Sequence, residues 1–324
     1  MPTQTQKRYL VGADFDETSF HTFSPSPNGM NVQKAYCLSL DDIFGKGTGE
    51  WFFTNIGLNN KAPSQIIGDL FSRAEEHKQR LLSNALSFFE AHEGHFGNLI
   101  PECRDGTLFW NSDFPEAAII QMLILKKLEY LMAEIGNPDI EGKIWPQPCK
   151  GFLEFTGTVS QLKKENVPID TAIISSGHEA FIKKVFETWN IPQPDILVTE
   201  DDIRPRLYPN DPQVRFKPGA FPLALAHYKW LRKQEETSAS RFRDAQDSKK
   251  RIFYIGDDPH KDGLMAKNCK ITGGIFPIIS WEEITASLKQ NHYLMDGRPI
   301  EEMLIFAKKS IEFEGRGHGN RERL

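Results

Sequence analysis

The chain has 324 residues, 39% of them hydrophobic, which is enough apolar content to close one large core or two ordinary ones. Acidic residues outnumber basic ones 44 to 39, and the formal charge of -5 is spread along the length without the basic patch of a nucleic-acid binder. Cys37, Cys103, Cys149 and Cys269 show neither a CxxC pair nor a histidine at zinc-finger spacing, so reduced thiols in a cytoplasmic protein are expected.

In chain order, the first element is the apolar run Tyr9 to Ala13, of strand length and far shorter than an export signal's core or a membrane span. It stops at Asp14, and Asp16 and Thr18 follow. From about Pro25 to Gln147 the strand beat is absent. Ser64 to Ala91 carries Ile66, Ile67, Leu70 and Phe71, then Leu81, Leu82, Ala85, Leu86 and Phe89, at the three- and four-residue steps of an amphipathic helix. Asp113, with Glu116 three residues on, is placed to cap a further helix that closes at Gly136 to Pro138.

Beyond this interval, helices are expected over Phe152 to Glu165, Glu179 to Trp189 and Ala220 to Arg232. Strands are expected at Thr171 to Ser175, Asp195 to Thr199 and Arg251 to Gly256, each stopping at a polar residue: Ser176, Glu200 and Asp257. The polar, serine-rich residues 234–250 read as a surface loop, and a helix is expected near Ile300 to Ile311. Strands alternating with helices predict an α/β, Rossmann-like three-layer sandwich with a central parallel sheet, interrupted by a mainly helical insertion. The expected division is a core of residues 1–24 and 148–313, an inserted cap of 25–147, and a flexible tail of 314–324.

In a parallel sheet, ligands bind outside the carboxyl ends of the strands, and Asp14, Ser175 and Asp257 all fall at such ends. Asp14, Asp16, Asp257, Asp258 and Asp262 bring up to five carboxylates near one rim, where like charges repel unless a cation joins them. An all-oxygen set suits Mg2+ better than zinc. Lys217 adds positive charge, and Pro218 beside it fits the first turn of a helix whose N-terminus favours anions.

The stretch from Asp14 to Thr18, the strand ending at Ser175, Lys217 before Pro218, and Gly256 to Asp262 together resemble the four ordered motifs of the haloacid dehalogenase superfamily. The resemblance covers roughly residues 8–24 and 148–278. It implies that Asp14 is a nucleophile that takes the phosphoryl group and that Asp16 is the general acid, later the base for water. It further implies that Mg2+ is held by Asp14, the Asp16 carbonyl and Asp257, with Asp262 or Asp258 completing the shell. Thr18, Ser175, Ser176, Gly177 and Lys217 form the implied phosphate-binding set, with Ser175 favoured over Ser176 because it directly follows the apolar run. Asp16 distinguishes phosphatases and phosphomutases from the dehalogenases. Glu17 departs from the glycine that many members carry.

The implied activity is that of a phosphoric monoester hydrolase, a cytoplasmic phosphatase acting on a small phosphorylated metabolite, with a cap that excludes water and supplies specificity. Neither nucleic acid nor membrane is an expected partner. A phosphotransferase or phosphomutase of the same fold, or a non-catalytic regulatory protein, are the alternatives. Of the remaining patterns, His92 to His95 lacks the spacing of a helical zinc motif and reads as a loop, and the glycines from Gly45 lack the spacing of a phosphate-binding loop. Trp51 to Phe53 and Trp110 serve either the pocket or the core of the insertion.

Overall fold

Tyr9–Ala13 forms β1, and from Leu10 onward every residue of it is buried, as a central strand enclosed on both faces requires. The structure is a computed structural model and describes residues 8–57, 63–96, 115–138, 141–203, 212–235 and 248–290. Its chain falls into two compact units, Met1–His21 with Pro146–Leu324, and Thr22–Trp145.

In the first unit a short strand, Phe20–His21 (β2), pairs antiparallel with Gln147–Pro148 (β3), one on each side of the two chain crossings. The main sheet adds Ile169–Ile174 (β4), Ile196–Val198 (β5), Ile252–Gly256 (β6) and Thr272–Ile275 (β7), all parallel, in the order β5-β4-β1-β6-β7. Ala13 stands in register with Ile173 on one side and Ile255 on the other. Asp14, Ser175 and Asp257 therefore emerge at one level of the C-terminal rim.

The second unit is helical: Val32–Phe44 (α1), Thr48–Asn55 (α2), Pro63–Arg73 (α3), Lys78–Phe96 (α4) and Pro115–Glu134 (α5). α5 packs against α1, α3 and α4 and buries Met122, Leu123, Leu125 and Leu128. The expected single helix from Ser64 to Ala91 is two, broken at Ala74 (φ -108°, ψ 34°) by a 3-10 turn at Glu75–His77. The break falls where the apolar spacing lapses between Phe71 and Leu81. His92 to His95 lies on α4 and not in a loop, since Gly94 alone does not stop a helix whose His92 ring stacks on Phe88 at 4.3 Å. Gly45 and Gly47, both at positive φ, make the link between α1 and α2.

The first unit's helices are Phe152–Lys164 (α6), Glu179–Thr188 (α7), Glu200–Ile203 (α8), Pro212–Arg215 (α9), Phe221–Glu235 (α10), Leu264–Cys269 (α11) and Trp281–Gln290 (α12). The two-residue period of the strands sorts their side chains between two helical layers. Leu10, Ile174, Ile252 and Tyr254 join Leu223, Trp230 and Met265 of α10 and α11. On the other side Val11, Ala13 and Ile173 line a crevice with Phe155 and Phe186, beside the rings of Phe15, Phe20, Phe152 and Trp281. This is the expected Rossmann-like α/β sandwich. β7 carries little strand signal because it is half glycine, and the structure gives the reason: a Cβ on Gly273 would lie 2.8 Å from that of Ala266, and one on Gly274 2.8 Å from Ile279.

Among the described residues no helix is long and apolar enough to cross a membrane. Cys103, Trp110, the Asp113 cap, most of residues 234–250, the helix expected near Ile300 to Ile311 and the tail lie outside the described residues.

Candidate active site

Asp14 is the first residue past β1. Its N–H still donates to Ile255 O at 2.8 Å, its carbonyl accepts the Ser19 hydroxyl at 2.7 Å, and the residue is 8% exposed. Continuing the sheet's hydrogen bonding one residue past the strand fixes this backbone, so its carboxylate stands at a rigid point of the rim.

Lys217 reaches this point from the segment between α9 and α10. Pro218 is not in the first turn of a helix, because α10 begins only at Phe221, and the intervening turn is closed by Gly219 N–H to Phe216 O at 2.6 Å. The lysine therefore acts through its own ammonium and not through a helix terminus. Its Nζ donates to Asp14 Oδ1 at 2.7 Å, to Asp262 Oδ1 at 2.7 Å and to the Tyr254 hydroxyl at 2.9 Å. The Tyr254 hydroxyl in turn donates to Asp262 Oδ1 at 2.8 Å. The Lys217 side chain is 5% exposed and that of Asp262 is 2%.

Asp262 approaches β6 because residue 256 is glycine, where any Cβ would overlap the Asp262 side chain. Residues Pro259–Gly263 form a π turn, and Asp258 caps it, its Oδ1 accepting the N–H groups of His260 at 2.8 Å and Lys261 at 3.1 Å. Of the two residues expected to complete a metal shell, Asp262 stands with the others and Asp258 is engaged in the cap. Asp14, Asp257 and Asp262 each offer an oxygen within 4.8 Å of the other two.

Thr18 is fully buried, and its hydroxyl lies 3.4 Å from Asp257 Oδ1. Thr18, one of the residues implied for the phosphoryl group, thus faces Asp257 across the rim. Glu17 has φ 54°, the left-handed region that glycine enters without strain, which explains why glycine suits this position. Ser175, 2% exposed, follows β4, and its Oγ accepts Gly177 N–H at 2.8 Å. A Cβ on Gly177 would lie 3.8 Å from Asp16 Oδ2, so this turn runs beside the half-buried Asp16. Ser176 is exposed.

Two residues of this region escaped the sequence reading. Tyr254 sits in an apolar run where a tyrosine reads as strand filling. His178, 2% exposed, donates from Nδ1 to Asp201 Oδ1 at 2.7 Å, while Asp201 Oδ2 accepts Glu179 N–H at 2.8 Å, so a residue of α8 caps α7. No pattern in the sequence marks that pairing.

The electrostatics show an excess of negative charge. Burial pushes the Asp14 carboxyl well above the usual carboxylate range, with Lys217 opposing and Asp262 and Asp16 adding to the rise. Burial, then the Asp262 charge, pushes Asp257 up to about 6. Burial would draw the proton from Lys217, but Asp14 and Asp262 outweigh it and hold the ammonium charged. Three carboxylates facing one ammonium call for a further cation, and their oxygen-only donor set fits a hard divalent ion such as Mg2+. The class of site is thus a buried, cation-demanding carboxylate cluster at the C-terminal rim of a parallel sheet.

No family model matches the chain, and no curated protein does. Among solved structures it is similar to the HAD-hydrolase YfnB of Bacillus subtilis bound to magnesium, at 13% identity and TM-score 0.38 over 85% of this chain and 91% of that one. It is also similar to CbbY of Rhodobacter sphaeroides in complex with phosphate, at 12% and 0.38 over 84% and 87%. A third is the 2-haloacid dehalogenase of Pseudomonas syringae, at 12% and 0.37 over 83% and 86%. At these identities and TM-scores the likenesses bear on neither substrate nor reaction.

Proposed function

We propose that the chain is a magnesium-dependent phosphatase of the haloacid dehalogenase superfamily that hydrolyses a small-molecule phosphomonoester through an aspartyl phosphate on Asp14. The observation that carries this reading is the Lys217 ammonium, 2.7 Å from both Asp14 Oδ1 and Asp262 Oδ1 with Asp257 in the same cluster, gathered from three stretches of the chain far apart in sequence. The order of the motifs in the sequence adds the reaction class, through Asp16.

An oxygen of Asp14 attacks phosphorus, and the bond from phosphorus to the leaving oxygen breaks as Asp16 delivers its proton there. Asp16, now a carboxylate, takes a proton from water, which attacks phosphorus, releases inorganic phosphate and restores Asp14. The Lys217 ammonium favours the ionised form of Asp14 and opposes the rise that burial imposes on it. The Ser175 to Gly177 turn offers its exposed end to the phosphoryl oxygens. Asp14 and Asp257, with the Asp16 carbonyl and Asp262, would hold Mg2+, which when bound offsets the charge of the phosphoryl oxygens. The helical insertion would serve as the cap that selects a small metabolite.

The test is phosphate release over a panel of phosphorylated metabolites, with and without Mg2+, for the wild type and Asp14→Asn. Activity that requires both the metal and Asp14 is the expected result. Turnover indifferent to chelator, or surviving Asp14→Asn in full, would overturn the mechanism, and transfer to a second hydroxyl in preference to water would reassign the enzyme as a phosphotransferase.

A further inference from the structure

An ammonium has three protons, and Lys217 Nζ has three acceptors at hydrogen-bonding distance: Asp14 Oδ1, Asp262 Oδ1 and the Tyr254 hydroxyl. No proton remains for a phosphoryl oxygen. Tyr254 closes the arrangement, because its hydroxyl accepts from Lys217 and donates to the same Asp262 oxygen that Lys217 holds. Its other acceptor, Ile174 O, is at 3.4 Å and competes weakly.

The phenol is fixed by packing. Tyr254 is fully buried on β6, paired with Gly12 of β1, and a Cβ at Gly12 would lie 3.3 Å from Tyr254 Cδ2. Gly12 thus leaves the ring its place in the core. A ring held in a close-packed core delivers its hydroxyl to one position, where a surface tyrosine would sample several.

We propose that Tyr254 is a positioning residue of this site: its hydroxyl anchors Lys217 so that the ammonium orients Asp14, leaving the phosphoryl group to the Ser175 to Gly177 turn. The inference rests on the phosphatase reading and divides the two tasks that the motif assigns to Lys217. Orienting the nucleophile affects the chemical step, whereas holding the phosphoryl group would also affect binding, so the two are kinetically distinguishable.

Tyr254→Phe keeps the ring and removes the hydroxyl. With p-nitrophenyl phosphate and Mg2+, kcat is expected to fall about 10- to 100-fold, the loss of one hydrogen bond to a charged group, while KM and the inhibition constant of inorganic phosphate move less than about twofold. Unchanged kcat would overturn the proposal, and so would KM and the phosphate constant rising in step with the loss of kcat. Absence of turnover in the wild type would instead sink the phosphatase reading, and the role of Tyr254 with it. Should Tyr254→Phe fail to fold, a crystal structure of the wild type with tungstate decides: Lys217 Nζ stays on its three acceptors if the proposal holds and leaves Tyr254 for the oxyanion if it is wrong.

Discussion

Replacing Lys217 by methionine removes a charge and keeps most of the side chain's volume. Two carboxylate oxygens then lose an ammonium at 2.7 Å in a place where the Asp262 side chain is 2% and the Asp14 side chain 12% exposed. At an effective dielectric constant of about 20, each contact carries about 6 kcal/mol of Coulomb energy before desolvation is subtracted. Removing one partner of a buried pair destabilises by about 3–5 kcal/mol, and with two carboxylates abandoned the upper half of that range is expected. The loss should depend on pH in a defined direction. Asp14 already has a folded pKa raised by burial, and without Lys217 it rises further. Such a group favours the fold fully below its unfolded pKa, and that contribution is lost as pH rises through the folded value. The penalty of Lys217→Met is therefore largest near pH 8 and shrinks toward about pH 4, where Asp14 takes up a proton. Urea unfolding in chelator, followed by the fluorescence of the buried Trp230 and Trp281, measures it. A penalty below about 1 kcal/mol at pH 8, or one that grows as pH falls, would refute the electrostatic account of this cluster.

In single-turnover measurements Asp16→Asn should slow formation of the phosphoryl enzyme by about 10²- to 10⁴-fold for an alkyl phosphate and much less for p-nitrophenyl phosphate, whose leaving group needs no proton; equal losses in that step would remove Asp16 from the role of general acid. Gly256→Ala forces a Cβ into the Asp262 side chain, and a raised magnesium requirement with turnover near background is expected. Wild-type kinetics in that variant would show that Asp262 is dispensable. His227, buried and 2.7 Å from Ser248 Oγ, is held down to about 4 by burial and by Lys249 and Arg251. Its contribution to stability is present above the unfolded value near 6.5 and is lost as pH falls through about 4, amounting to up to about 3 kcal/mol. His227→Gln should flatten acid unfolding in that window, and an unchanged profile would count against a neutral buried imidazole.

Much of the core was legible because apolar runs that end on polar residues are a local signal. β1, β4, β5 and β6 end where their sequences turn polar, and a parallel sheet then carries Asp14, Ser175 and Asp257 to one rim by topology alone. β7 was not legible, since its glycines are explained by close approach to Ala266 and Ile279, contacts that no periodicity records. The break at Ala74 and the helical course of His92 to His95 were equally hidden, because each turns on how far a helix continues through residues of weak preference.

By itself the sequence determined the order of the chemical groups and the strands that deliver them, because hydrophobic patterning and strand termination are properties of a few adjacent residues. Only the tertiary structure decided which groups touch. Asp262 joins the cluster while Asp258 caps a turn, Thr18 faces Asp257, and Tyr254 stands third beside Lys217, through contacts between residues from 2 to more than 200 positions apart. Such contacts depend on the space that Gly12 and Gly256 leave empty, and an empty space has meaning only once the surrounding core is packed.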